Sequence, residues 1–152
     1  EFRFSGAAWL PSDGALVAYV PTFTRLTVGN GAVTAFYSQQ GKRVSVLGSV
    51  KLGSTSSLSA GSGVLTVGVS LPVAAATRYG IASDAYQSGN VGALDTGTNI
   101  YGGGFASIEA STTEAKLYMP GAGGVRTPIH ATSPFTFTTG DIVSFEFEYE
   151  AA

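Results

Sequence analysis

LTVGNGAVTAFYSQQGKRVSVLGSVKL, residues 26–52, alternates apolar and polar side chains and breaks the alternation at Gly29-Asn30-Gly31 and at Gln40-Gly41-Lys42. Period 2 is the mark of a half-buried β-strand, because successive side chains of a strand point to opposite faces. From Arg43 to Leu52, one face carries Val44, Val46, Gly48, Val50 and Leu52, and the other carries Arg43, Ser45, Leu47, Ser49 and Lys51. Gly and Asn tolerate the positive φ that tight hairpins need. The stretch reads as an antiparallel meander: a hairpin joining 24–28 to 32–39 around Gly29-Asn30-Gly31, then a turn into 43–52.

The same reading extends along the chain. Residues 1–14 form a leading arm that ends in a turn at Pro11, Asp13 and Gly14, and residues 15–152 form the domain. A short strand is expected over 15–20. Residues 53–63 are a low-complexity loop, and 64–71 alternates again, with Leu65, Val67, Val69 and Leu71 on one face and Pro72 closing it. A strand is expected over 79–86, a long polar loop over 88–99, and a flexible corner at Gly102 to Gly104. Residues 105–110 and 115–119 make a hairpin, followed by a loop at 120–124. The last strands fall at 135–137 and 142–149, where Val143, Phe145, Phe147 and Tyr149 oppose Ser144, Glu146, Glu148 and Glu150. About nine or ten short strands at ~8–12-residue spacing predict an all-β, single-domain antiparallel β-sandwich of jelly-roll type.

Composition agrees. The chain has 152 residues, with 21 Gly, 17 Ser and 16 Thr, and charged residues make up 12% of it. Many turns and small polar outward positions follow, as in an all-β protein. The net charge is −2, and the few Lys and Arg are scattered, which leaves no electrostatic footprint for nucleic acid. No apolar run approaches the ~18 residues that span a bilayer, so no membrane insertion is expected. There is no Cys, hence no disulfide, thiolate ligand or Cys nucleophile. Glu1 rather than Met stands first, as in a chain that is processed or cut from something longer.

Few residues have the spacing of a catalyst. His130 is the single histidine; no G-x-S-x-G elbow accompanies it, and two prolines lie close by, so a structural role is expected. Asp13, Asp84, Asp95 and Asp141 are dispersed, and Asp13 and Asp141 adjoin Gly as turn residues do. Glu146, Glu148 and Glu150 share a strand face, which reads as solvated surface or protection of a sheet edge. The glycine runs precede neither a helix nor a Lys-Ser/Thr pair, so they are turns rather than phosphate cradles. The expectation is a non-enzymatic protein without cofactor or metal.

A ligand site is sought where aromatic and polar residues meet on loops, since binding concentrates there. Arg78, Tyr79, Asp84, Tyr86, Asn90, Asp95, Asn99 and Tyr101 cluster in the middle of the sequence and are the candidate ligand-binding set. Tyrosines can stack on sugar rings, although they also cap the ends of β cores. Phe2, Phe4, Trp9 and Leu10 are the candidate partner-binding residues of the arm.

A resemblance adds a setting. It rests on YVPTFTRLTVGNG at 19–31, Tyr37, Gln-Gly-Lys at 40–42, LGSTSS at 52–57, Ser-Leu-Pro at 70–72, SPFTF at 133–137, Thr-Gly-Asp at 139–141 and the closing YEAA at 149–152. In this order the chain resembles β-rich virion-surface proteins of tailed bacteriophages, especially of actinobacteria: minor tail, fibre-tip or decoration-like proteins. The resemblance covers about residues 16–152 and is weakest over 77–130. It implies a virion-surface protein, often a homotrimer in contact with other virion proteins, and transfers no catalytic residue. The expected role is a tail fibre or spike tip that binds a host-surface glycan. The alternatives are a capsid decoration protein or head fibre, and a free carbohydrate-binding module.

Overall fold

The computed structural model describes residues 2–4, 9–11, 14–60, 65–76, 86–109, 112–121, 123 and 125–152. Among them the chain forms fourteen strands and no α-helix. In order these are β1 (Phe2–Phe4), β2 (Trp9–Pro11), β3 (Val17–Ala18), β4 (Phe23–Thr24), β5 (Leu26–Thr27), β6 (Ala32–Gln40) and β7 (Arg43–Lys51). There follow β8 (Ser57–Leu58), β9 (Gly68–Ser70), β10 (Tyr86–Asp95), β11 (Asn99–Ile108), β12 (Glu114–Pro120), β13 (Arg126–Pro128) and β14 (Ile142–Glu150). Ten of them make one antiparallel sheet in the order β3-β6-β7-β14-β10-β11-β12-β9-β4, with β13 also on β12; β1 pairs β2, and β5 pairs β8. The expected all-β antiparallel fold is therefore present, with one curled sheet supplying the layers.

The curl follows from connectivity. The path ends on β3 and β4, and only residues 19–22 separate these in sequence. That link spans at most ~18 Å of chain, whereas nine strands laid flat would put the edges ~38 Å apart. The sheet bends into a half-barrel, and Phe23 on the edge strand β4 meets Phe145 on the central β14, ring centroids 6.5 Å apart. The concave face holds the core. Val44, Val46 and Val50 of β7, Val143, Phe145, Phe147 and Tyr149 of β14, Val91 of β10, Ile108 of β11 and Leu117 of β12 are all buried. Alternation in β7 and β14 thus places side chains as the sequence predicts.

Several expectations need correction. The hairpin expected between 24–28 and 32–39 does not form. Arg25, at φ 62, turns the chain between β4 and β5, so Phe23–Thr24 joins the sheet edge and Leu26–Thr27 pairs Ser57–Leu58. Gly29-Asn30-Gly31 becomes a corner held by a distant loop: Asn30 N–H donates to Thr55 Oγ1 at 2.8 Å, and Thr55 N–H donates to Asn30 Oδ1 at 2.9 Å. The second turn behaves as expected, with β6 and β7 paired from Ala32↔Lys51 to Gln40↔Arg43.

The polar loop expected over 88–99 is instead most of a hairpin, β10 with β11. Its glycines form bulges. Between Ser88↔Ala106 and Val91↔Gly104, β10 carries one extra residue around Gly89; between Val91↔Gly104 and Ala93↔Tyr101, β11 carries one around Gly103. Both glycines have positive φ, 74° and 78°, as a bulge tolerates only in glycine without strain. The corner expected at Gly102 to Gly104 is the second bulge.

Residues 135–137 are not a strand; the Phe137 N–H instead donates to the Ala131 carbonyl. The strand expected over 15–20 shortens to Val17–Ala18, and that over 64–71 to Gly68–Ser70, with Leu65 exposed while Val67, Val69 and Leu71 stay buried. The leading arm is a strand pair, Phe2↔Pro11 to Phe4↔Trp9, that joins neither of the other sheets. The acidic face of β14 guards no edge, because β14 lies between β7 and β10. Most of the strand expected over 79–86 lies outside the described residues.

Candidate functional site: a cleft at the turn end

One end of the half-barrel gathers the Asn30 corner, the chain after β7, the β10–β11 turn and the turn before β14. Asp141 ties three of these together. It is 1% exposed; its Oδ1 accepts from Thr96 N–H at 2.9 Å, and its Oδ2 accepts from Thr138 N–H at 2.6 Å and from the Thr138 hydroxyl at 3.2 Å. Backbone bonds from Leu52 N–H to Asp141 O and from Gly140 N–H to Leu52 O close the set. Asp141 therefore has the turn role its Thr-Gly-Asp setting suggests. Buried hydrogen bonds of this kind hold turns in one conformation.

A cleft of about 400 Å³ opens at this end between 52–58 and 131–139. Its apolar lining is Leu52, Leu58, Ala131 and Phe137, and its hydroxyl lining is Ser56, Ser57, Thr138 and Thr139. The volume falls in the ~300–1,000 Å³ range of small-ligand sites. Ser56 is committed to the fold: its hydroxyl donates to Val28 O and accepts from Gly53 N–H. Thr138 is committed to Asp141. The Ser57 and Thr139 hydroxyls have no hydrogen-bond partner among the described residues. Phe137 ends a row of three rings, 4.3 Å from Phe135, which lies 5.1 Å from Tyr101.

The residues expected to bind ligand do not assemble there. Arg78, Tyr79 and Asp84 lie outside the described residues, and Tyr86 is placed only by its backbone, opposite Ile108. Asn90 is exposed at the β10 bulge, opposite Glu146. Asp95 and Asn99 face each other across the β10–β11 turn, ~17 Å of strand away from Asn90. Tyr101 is turned by the second bulge toward the core, where it stacks on Phe135. Of the arm residues, Phe2, Phe4, Trp9 and Leu10 are placed by the backbone of β1 and β2.

Asn90 does line a second, smaller concavity of about 280 Å³, with Ser45, Leu47, Glu146 and Glu148. It opens where β10 leaves β14. Glu148 is engaged there with Arg43 and with Ser45 Oγ, the latter at 2.8 Å. The Arg43 hydrogen bond, then the Ser45 one, holds its carboxyl below the ordinary value. His130 closes a turn by backbone bonds with Ser133, and its Nδ1 accepts from Thr132 N–H at 3.4 Å.

Sequence reasoning missed Leu52, Ser57, Leu58, Phe137 and Thr139. Two signals were present, the Gly/Ser-rich 53–59 and the Phe-Thr-Phe-Thr-Thr-Gly-Asp of 135–141. Neither signal says that the two stretches meet. No family model, curated protein or solved structure matches the chain.

Proposed function

We propose that this chain is a non-enzymatic structural protein exposed on the surface of a tailed-phage virion, a tail fibre or spike-tip domain that attaches to a host-surface glycan. The observation that carries this reading is the cleft beside Phe137, set among turns that Asp141 and Asn30 hold in place. Attachment domains need such a preformed polar-rimmed surface on a stiff scaffold, because ordering loops on binding costs affinity. The resemblance over residues 16–152 supplies the virion setting. In this reading the protein is a homotrimer in contact with other virion proteins.

The second reading is a capsid decoration protein or head fibre. It is favoured by the β1–β2 pair, which hydrogen-bonds to no other strand of the described fold and carries Phe2, Phe4, Trp9 and Leu10. The test is binding of fluorescent protein to a panel of actinobacterial cells before and after periodate oxidation of their surface sugars. Binding to at least one strain that periodate abolishes is the expected result. No cell binding, together with binding to assembled capsids, would replace the first reading with the second.

A further inference from the structure

We infer that the cleft between 52–58 and 131–139 is the sugar site, and that it takes a neutral sugar ring stacked on Phe137. This rests on the attachment reading above and names the ligand class and the residues. Among the described residues no charged side chain lines the cleft. An acidic sugar would leave its carboxylate without a counter-charge, and a cationic ligand would find no anion. Asp141, the nearest carboxylate in the sequence, has its oxygens occupied by Thr96 and Thr138.

The lining matches a pyranose. One face of such a ring is C–H and the rim is hydroxyl. Phe137 contributes a half-buried aromatic ring braced by Phe135, while Leu52, Leu58 and Ala131 continue an apolar floor. Ser57 and Thr139 sit on the two sides with hydroxyls that have no partner among the described residues, each able to donate and accept. The other two hydroxyl residues are bound within the protein, so they shape the cleft without recognising the ring. Among the described residues the second concavity offers Glu146 and Glu148 and no lining aromatic except the buried Phe147.

The test is saturation-transfer NMR with glucose, galactose, mannose, rhamnose and N-acetylglucosamine, alongside glucuronic acid, on wild type and variants. Wild type should bind at least one neutral sugar and favour it over glucuronic acid. Phe137→Ala should weaken binding by about tenfold, and Ser57→Ala and Thr139→Val by about two- to tenfold each. Phe137 also packs on the core, so Thr139→Trp, an exposed change that fills the cleft, tests the site without touching the core. Unchanged binding in a folded Thr139→Trp protein, or loss in Asn90→Ala instead, overturns this site and leaves the attachment reading standing. A preference for glucuronic acid overturns the ligand class. Wild type that binds no sugar in the panel, and no cell surface in the periodate experiment, overturns both.

Discussion

The Tyr149 hydroxyl donates to the Val73 carbonyl at 2.7 Å and accepts from its N–H at 3.3 Å, whereas the Tyr19 hydroxyl is buried and meets no hydrogen-bond partner among the described residues. Both rings pack on or beside the core cluster, with Tyr37 edge-on to Tyr19 at 5.8 Å. Removing a satisfied hydroxyl strands its partners; removing an unsatisfied one relieves a desolvation cost. Tyr149→Phe should therefore lose about 1–2 kcal/mol in urea denaturation, and Tyr19→Phe should be neutral or gain up to about 1 kcal/mol. Burial pushes the Tyr19 hydroxyl up to about 12. Burial also raises Tyr149, against the lowering effect of its bond to Val73. A phenol with a raised folded pKa contributes stability that is complete below its unfolded value of ~10 and is lost as pH rises through the folded one. Stability should fall from about pH 10 upward, and less steeply in Tyr19→Phe.

The β10–β11 hairpin shows most clearly what an element can hide. Ser-Gly-Asn and Gly-Gly-Gly are loop signals in isolation, yet each sits inside a ten-residue strand as a bulge. The two extra residues fall on opposite strands, so the register before the first bulge returns after the second. Between them Val91 is turned into the core, and beyond the second Tyr101 is turned in as well. The bulges differ in what surrounds them. A Cβ at Gly103 would meet only Pro120 Cγ at 3.9 Å, so Gly103→Ala should cost the left-handed backbone alone, about 1–2 kcal/mol. At Gly89 a Cβ would overlap the Glu146 carbonyl oxygen and Phe147 Cα as well. Gly89→Ala should therefore cost more than about 3 kcal/mol, or prevent folding, as read by thermal unfolding.

At the scale of the molecule, the sheet curls because the two strands that end its path, β3 and β4, are joined by only residues 19–22. Those edges are two residues each, and short edges limit uncontrolled strand addition. Leu16 and Val20, 61% and 89% exposed, flank β3 and offer apolar surface for self-association. The proposed homotrimer predicts a mass three times the 15.5 kDa of the chain by light scattering behind size exclusion. A monomer would sink the self-contained trimer and favour a carbohydrate module or a decoration domain that assembles on its capsid. Deleting residues 1–13 should shift the unfolding midpoint little, because among the described residues β1 and β2 form strand pairs only with each other. If the arm is a partner contact, the same deletion abolishes incorporation into particles.

The sequence by itself determined the all-β class, the strands β6, β7, β12 and β14, and which side chains of β7 and β14 face inward. Alternation is a local record of burying one face. It also located the turns at Gln40-Gly41-Lys42 and Thr139-Gly140-Asp141, where residue chemistry acts over a few positions. The tertiary structure alone decided that β14 is central, that Leu26–Thr27 pairs Ser57–Leu58, and that glycines 89 and 103 serve as bulges. It alone placed Phe137 beside Leu52 and Leu58 to make a cleft. A strand's pattern states which face it buries but not which distant strand completes its hydrogen bonds, and a glycine's freedom looks the same in a loop and in a bulge.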